Sequence, residues 1–248
     1  MFAIAFFVTA CGDGGGGATY SSYFVPPAPS PTEPVLEPTV APTVAPTPDP
    51  TVAPKVAPTP DPTPDPTPAY ENPFKGANVG DMVKFGRYPQ TEGGGDKDDI
   101  EWQVLSVEGG KILAISRYGL DAKRFDDDSN DWESSEICGW LNGEFYEGSF
   151  NDDEKGIIAS SDPGKVFLLS KDEAEGYFDS DDDRKCLPTG YAKANDALVS
   201  EGFCFWWLRS SYSSFGVYYV RIGGGINYSN VNDNSGSARP ALWINTES

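Results

Sequence analysis

Alternating apolar and polar positions after residue 74 predict several short β-strands. Residues 79–88 have the pattern of a strand, and residues 100–107 and 111–116 predict a hairpin, because β-branched and aromatic residues flank a turn at Gly109 and Gly110. The apolar run VFLLS at residues 166–170 predicts a buried strand. Further strands are predicted at residues 205–209, 217–222, 226–231 and 241–244, between Gly-rich and Asn-rich turns.

The same pattern predicts fewer helices. Ser134 or Ser135 can cap a helix that carries Ile137, Trp140 and Leu141. Residues 152–158 predict a second, short helix, and residues 171–178 predict a helical turn. The chain is therefore predicted to contain an α+β domain with two main helices among short strands.

The first ten residues, MFAIAFFVTA, are apolar and are followed by Cys11. A run of this length is too short to span a bilayer and is typical of a signal peptide. The box Val-Thr-Ala-Cys resembles the cleavage site of bacterial lipoproteins, which predicts a lipoprotein signal at residues 1–11 and lipidation of Cys11. This predicts an exported protein that a lipid anchors at the cell surface. No Lys or Arg precedes Cys11, which favours a start codon further upstream, and a chance apolar N-terminus is the alternative.

Residues 12–73 are rich in Gly, Pro and Thr and repeat the units Val-Ala-Pro-Thr and Pro-Asp-Pro-Thr. Such a composition cannot bury apolar surface and favours extended polyproline II, so a disordered stalk is predicted. Recognition of the prolines by an SH3-type domain is the alternative. The stalk is predicted to hold a ligand-binding domain at residues 74–248 away from the membrane.

Charge and composition exclude several functions. The formal net charge is −20, which repels phosphate backbones, so nucleic acid is not an expected partner. The chain has no histidine, which excludes Ser-His-Asp, Cys-His and HExxH mechanisms. Acidic runs at residues 126–131 and 179–183 lack the EF-hand spacing and are predicted to be solvated loops. We expect no metal, no cofactor and no catalysis.

The three remaining cysteines fall in the predicted domain. An exported protein permits a disulfide, and Cys186 with Cys204 is the preferred pair, because both lie beside predicted loops near the same end of the sequence. Cys138 lies in the predicted first helix, where a buried, inert thiol is expected.

Residues 211–235 have the composition of an antibody paratope. Tyr, Ser, Gly and Asn dominate the segment, and these residues combine rigid contact area with adaptable hydrogen bonding. A sparse aliphatic frame is predicted to point inward, which leaves the intervening residues free to face solvent. The frame residues are Val217, Val220, Ile222, Ile226 and Val231. The candidate ligand-binding residues are Ser211, Tyr212, Ser213, Ser214, Phe215, Tyr218, Tyr219, Arg221, Gly224, Asn227, Tyr228, Ser229, Asn230, Asn232, Asp233 and Asn234. Among them, Arg221 is predicted to pair with an acidic group of the ligand.

Six sequence blocks resemble a bacterial family of extracellular domains with a C-type-lectin-like fold, related to that of formylglycine-generating enzymes. Members of this family include the variable proteins of diversity-generating retroelements. The blocks occur in the order GDMVKFGRYPQ, IEWQVL, WLN, VFLLS, WWLRS and ARPALWI, which begin at residues 80, 100, 140, 166, 206 and 238.

The resemblance implies that mutagenic reverse transcription rewrites codons in a variable region at about residues 205–244. Codons that end in a pyrimidine cannot encode Lys, Glu, Gln, Met or Trp, and residues 211–235 contain none of these. The resemblance therefore implies a monomer that displays a variable face to a protein or glycan at a cell or phage surface. Two alternatives are a catalytic domain of the formylglycine-generating type, with Cys186 and Cys204 as its thiols, and a non-diversified structural module of the cell envelope.

Overall fold

The computed structural model describes residues 70–160 and 162–246. The predicted signal peptide, Cys11 and almost all of the predicted stalk lie outside these residues. The strands are β1 (Met82–Pro89), β2 (Lys97–Glu108), β3 (Lys111–Ser116), β4 (Tyr118–Gly119), β5 (Asp121–Ala122), β6 (Val166–Phe167), β7 (Leu187–Pro188), β8 (Val199–Ser200), β9 (Phe203–Cys204), β10 (Trp206–Ser213), β11 (Gly216–Val220), β12 (Ile226–Asn230), β13 (Ser237–Ala238) and β14 (Ala241–Asn245). The helices are α1 (Glu136–Trp140), a π-helical turn (Leu141–Phe145), α2 (Tyr146–Ser149), α3 (Asp152–Ile157), α4 (Lys171–Tyr177), α5 (Asp181–Arg184) and α6 (Gly190–Ala194).

The first sheet has the strand order β1-β2-β3-β14-β6, and all of its neighbouring strands are antiparallel. The predicted hairpin of β2 and β3 turns at Gly109 and Gly110, which both have positive φ. The C-terminal strand β14 lies inside this sheet, between β3 and β6. The last predicted strand is therefore fixed by partners on both sides.

The second sheet has the order β12-β11-β10-β13-β5. Strands β10, β11 and β12 form two consecutive antiparallel hairpins, and β10 pairs in parallel with β13 at Trp206. The register between β10 and β11 shifts twice, between Trp207 and Ser211 and between Ser211 and Ser213. The three C-terminal hairpin strands thus carry most of the predicted variable segment.

A buried core connects the two sheets. Trp102, Trp206 and Trp207 are fully buried, and Phe74 packs edge-on against Phe85 where the folded domain was predicted to begin. Burial of tryptophan and phenylalanine at this scale is the main source of stability in a domain of this size. No helix among the described residues has the length and apolarity to cross a membrane.

The predicted α+β class is confirmed, and the predicted elements differ from the observed ones in detail. Ser135 caps α1 by accepting a hydrogen bond from the Cys138 backbone N–H. The two predicted helices are observed, the first as the continuous run of α1, the π-helical turn and α2, and the second as α3. The described residues also contain the short helices α4, α5 and α6, of which α5 and α6 were not predicted. Residues 166–170 form only a two-residue strand, because their partner β14 begins at Ala241 and the preceding Pro240 has no backbone N–H to continue the ladder, and Ser170 caps α4.

Candidate functional site

The candidate site lies on β10, β11 and β12. Tyr218 lies directly opposite Tyr228, and Tyr219 lies directly opposite Asn227. Because successive residues of a strand point to opposite faces, these two pairs lie on different faces of the sheet. The ring of Tyr212 contacts both Tyr218 and Tyr228. We call the face that carries Tyr212, Tyr218 and Tyr228 the tyrosine face.

The rings of the tyrosine face hold one another in place. Tyr212 stacks on Tyr228 with ring centroids 3.8 Å apart and an interplanar angle of 10°, and it meets Tyr218 edge-on at 5.3 Å. Tyr212 and Tyr228 are 48% and 50% exposed, and Phe215 at the hairpin turn is 65% exposed. The nearby Tyr228 hydroxyl raises the pKa of Tyr212. Tyr218 is half-buried against the core, so the exposed part of this aromatic surface consists of Tyr212 and Tyr228, with Phe215 at the hairpin turn.

Tyr219 belongs to the opposite face and packs on the core. Its ring meets Phe205 at 5.0 Å and Trp207 at 6.2 Å, both edge-on. It lines a separate cleft of about 400 Å³ together with Arg221 and the exposed Leu198. The prediction that Tyr219 faces solvent beside Tyr218 is wrong, because strand alternation turns it toward Phe205 and Trp207.

The predicted aliphatic frame is largely buried. Val217, Val220 and Val231 are buried, and Ile222 and Ile226 are partly buried against the core. Val217 shares the face of Tyr219, whereas Val220 shares the face of Tyr218. The predicted burial of the frame is therefore confirmed, but its members lie on both faces of the sheet, which is covered on both sides near its base.

Two predicted ligand-binding residues instead shape the backbone. Gly224 is buried with φ +87°, and a Cβ atom there would overlap the backbone oxygen of Asp181. The Gly224 carbonyl accepts a 2.9 Å hydrogen bond from Nε of Arg184. The Asp233 carboxylate accepts hydrogen bonds from the backbone N–H and hydroxyl of Ser235, at 3.0 and 2.7 Å. The positive φ of Gly224 requires glycine at this position, and the carboxylate of Asp233 closes a turn.

The other predicted residues remain accessible. Asn227 and Ser229 are half-buried on the face of Tyr219. The exposed ones are Ser211, Ser213, Ser214, Arg221, Asn230, Asn232 and Asn234. The structure thus brings most of the predicted set together around the hairpins but divides it between two faces.

A polar cleft of about 600 Å³ lies beside β10. Ser211 lines this cleft and pairs with Val217, so it lies on the face of Val217 and Tyr219, opposite the tyrosine face. None of the three tyrosines of the tyrosine face lines the cleft. The remaining lining residues are Asn130, Asp131, Trp132, Glu133, Asp162, Pro163, Arg209 and Ser210.

The sequence analysis did not predict that residues 130–133 line this cleft. The side-chain amide of Asn130 donates to the Ser213 carbonyl, a contact across 83 positions. Asp126 organises the loop, since its carboxylate accepts backbone N–H bonds from Asp128, Ser129 and Glu136 at 2.8–3.0 Å. Burial raises the pKa of Asp126, but these bonds outweigh it and lower the pKa overall. The acidic run was visible in the sequence, but nothing there indicated that it packs against the hairpin.

Arg209 is the cation of the cleft lining, and it is already paired. Its guanidinium bonds both oxygens of Glu173, one of them at 2.8 Å, and donates to the Leu168 carbonyl at 2.8 Å. Burial raises the pKa of Glu173, but Arg209 and the Ser170 backbone more than offset this and hold it below its usual value. The pair anchors α4 to β10.

Cys186 and Cys204 lie side by side in the core. They are paired as antiparallel neighbours, and the Cys204 N–H donates to the Cys186 carbonyl at 2.9 Å. Burial raises the pKa of Cys186, but a hydrogen bond from Cys204 and the charge of Arg239 lower it overall. The hydrogen bond that the Cys204 thiol donates to Cys186, together with burial, raises the pKa of Cys204. Both are free thiols in the structure, so the disulfide is not formed here and stays a prediction. Cys138 is half-buried rather than fully buried, because the face of α1 that carries it is partly open.

Among the described residues, no group of three or more His, Cys, Asp or Glu side chains is arranged to hold a metal ion. A sequence profile of the family described as Domain of unknown function (DUF6273) matches residues 109–246, which is more than half of the chain. The match runs from β3 to β14 and contains both the tyrosine face and the polar cleft beside β10. Searches of curated proteins and of solved structures found no match.

Proposed function

The chain belongs to the family described as Domain of unknown function (DUF6273), and we propose that its described domain is a non-catalytic ligand-binding domain displayed at a bacterial cell surface. The observation that carries the proposal is the tyrosine face. Tyr212 and Tyr228 expose stacked rings beside the exposed Phe215. Exposed aromatic clusters of this kind mark interaction sites, because tyrosine offers large contact area at low entropic cost.

The proposal includes a C-type-lectin-like fold and diversification by a retroelement. Two small sheets joined by short helices, with β14 inside the first sheet, support this fold. The residue types of positions 211–235 and the exposure of Tyr212, Phe215 and Tyr228 support diversification. A lipid at Cys11 and a stalk at residues 12–73 would then present the domain, and both lie outside the described residues.

The geometry of the cysteines weighs against the catalytic alternative. A thiol that reacts with a substrate needs access to it, and Cys186 and Cys204 are 1% and 0% exposed. Arg239 beside them is also buried, stacks on Trp206 and donates to the Ser116 carbonyl at 3.0 Å. These contacts support a structural role for the group.

Binding through the tyrosine face can be tested with the full chain and two kinds of probe, a random 12-residue peptide library and a panel of oligosaccharides. We expect at least one probe whose binding is lost in the double variant Tyr212→Ala/Tyr228→Ala. Tyr70→Ala is the matched control, because Tyr70 is 39% exposed but lies outside the hairpins. If every probe that binds is unaffected by the double variant, this face is not the binding site.

Diversification has an independent genomic test. We expect a neighbouring reverse transcriptase gene and a near-copy of the DNA that encodes residues 205–244, differing mainly at adenines. A gene without such neighbours would leave a ligand-binding domain that a retroelement does not diversify.

A further inference from the structure

A second concave surface lies on the face of the sheet opposite the tyrosine face. It is the cleft of about 400 Å³ that Tyr219 lines, and we call it the Tyr219 cleft. Its volume falls in the range of about 300–1,000 Å³ that is typical of small-ligand sites. Tyr212, Tyr218 and Tyr228 do not line it, so a molecule bound there uses none of the rings that define the tyrosine face.

One part of the Tyr219 cleft is apolar. The half-buried ring of Tyr219 lies edge-on against Phe205, with ring centroids 5.0 Å apart. Leu198 and Ile222 also line the cleft, and Leu198 is 52% exposed. A single exposed leucine is ordinary on a protein surface, but this one shares a concavity with a tyrosine ring and an isoleucine. The cleft therefore offers apolar area that an apolar part of a ligand can cover.

Hydrogen bonds fix the backbone of the residues that carry these side chains. The Arg221 N–H donates to the Gly225 carbonyl at 2.8 Å, and the Arg221 carbonyl accepts a bond from the Gly224 N–H at 2.7 Å. Leu198 comes from another segment of the chain, and its N–H donates to the Ser235 carbonyl at 3.0 Å. A ligand does not have to order this backbone when it binds, which lowers the entropic cost of binding.

The cleft also holds a cation that the protein itself does not neutralise. Arg221 lines the cleft, is exposed, and forms no ion pair with a carboxylate of residues 70–160 or 162–246. Asp181 lines the same cleft, but its carboxylate is paired with Arg184. A guanidinium group presents its N–H donors in a planar fork that matches the two oxygens of a carboxylate. Arg221 is therefore available to an anionic group of a ligand.

We propose that the Tyr219 cleft is a second binding site, which takes a monocarboxylate with an apolar body. The carboxylate pairs with Arg221, and the aliphatic or aromatic body covers Leu198 and the ring of Tyr219. One negative charge fits better than the double charge of a phosphate monoester, because Asp181 lies in the same cleft and the chain carries −20 overall. The site goes beyond the proposed function, and the acidic group predicted to pair with Arg221 binds here rather than at the tyrosine face.

Two kinds of molecule carry this chemistry, a free organic acid and a peptide whose C-terminal residue is apolar. Calorimetric titration of the full chain with 3-phenylpropionate tests the first, and titration with a hexapeptide that ends in phenylalanine tests the second. The primary amides of both compounds are the controls. We expect at least one acid to bind about tenfold or more tightly than its amide, because the amide loses the charge-assisted hydrogen bonds to Arg221. Binding of the peptide identifies a peptide C-terminus as the source, and binding of 3-phenylpropionate alone identifies a free acid.

Matched variants assign the binding to the cleft. Arg221→Gln should weaken the binding of the acid about tenfold or more. Lys75→Gln also removes an exposed cation but lies outside the cleft, so it should leave the affinity unchanged. Leu198→Asn should weaken binding about fivefold through lost apolar contact, and its control is Leu187→Asn, at a leucine that is 44% exposed and does not line the cleft. Thermal melts establish that all four variants are folded.

The outcomes separate this inference from the proposed function. Acids that bind no better than their amides, or an affinity that Arg221→Gln leaves unchanged, would overturn the inference. Failure of both acids to bind has the same meaning, as does binding that is lost in Tyr212→Ala/Tyr228→Ala and kept in Arg221→Gln. Probes whose binding depends on the tyrosine face should bind Arg221→Gln as they bind the wild type, so the failure of either site leaves the other intact.

Discussion

Truncation of two tyrosines from adjacent strands should have opposite consequences for stability and binding. Tyr219→Ala removes a half-buried ring and its edge-on contacts with Phe205 and Trp207. Loss of roughly 80 Å² of buried apolar area at about 25 cal/mol/Å² costs about 2 kcal/mol, and the two aromatic pairs add about 1 kcal/mol or more. We expect Tyr219→Ala to lower the free energy of unfolding by about 3 kcal/mol.

Tyr228→Ala is the matched comparison, since Tyr228 lies on β12 but is half-exposed. It loses mainly the stack with Tyr212, which is worth about 1 kcal/mol. For a domain of this size about 1 kcal/mol corresponds to about 2–4 °C in Tm. The expected falls in Tm are thus about 6–12 °C for Tyr219→Ala and about 4 °C or less for Tyr228→Ala.

Circular dichroism melts and urea titrations of the full chain measure both changes. Only Tyr228→Ala should weaken tyrosine-dependent binding while the protein remains folded at 25 °C. Equal destabilisation by the two variants, or a loss of under about 1 kcal/mol in Tyr219→Ala, would refute the assignment of these tyrosines to different faces of the sheet.

Two further variants test the scaffold around the site. Gly224→Ala should destabilise the domain by more than 1 kcal/mol, because the added Cβ would overlap α5 and the φ of +87° is strained for alanine. Gly223→Ala is the control, and it should hardly change the melting temperature, because no atom lies within 4 Å of the added Cβ. Glu173→Gln should cost about 1–3 kcal/mol at neutral pH, because it weakens the ion pair with Arg209. The pKa of Glu173 is held below its ordinary value of 4.5. The difference in unfolding free energy between wild type and variant should therefore be constant well above pH 4.5 and shrink as the pH falls through the folded-state pKa. A difference that does not depend on pH would contradict the pairing with Arg209.

Much of the fold follows from local sequence pattern. The β2–β3 hairpin, the cap of α1 by Ser135 and the buried Trp206 and Trp207 are all set by spacing, turn residues and apolar character close in sequence. The shortness of β6 was not predictable from its apolar run, because it is set by its partner β14, which begins at Ala241 after Pro240, far away in the chain.

The sequence predicted which segment forms the candidate site, but not which of its side chains share a face of the sheet. Composition identified residues 211–235, but it could not distinguish Tyr218 from Tyr219, which differ only in the face to which the strand turns them. Nor could it reveal the polar cleft, since Asn130 and Asp162 reach β10 from distant parts of the chain. Packing between distant segments determines both the face of each tyrosine and the lining of the cleft, and the periodicity of a single segment does not encode this packing.

The division of the segment between two faces also limits how such a surface can vary. A residue that is exposed and contacts mainly its exposed neighbours, such as Tyr228, can change at small cost to folding. A residue of the same type that packs on Phe205, such as Tyr219, cannot, and Gly224 is fixed by its backbone conformation. If the surface is diversified as proposed, its variable positions are therefore scattered exposed positions within a fixed sheet, and composition alone overstates their extent.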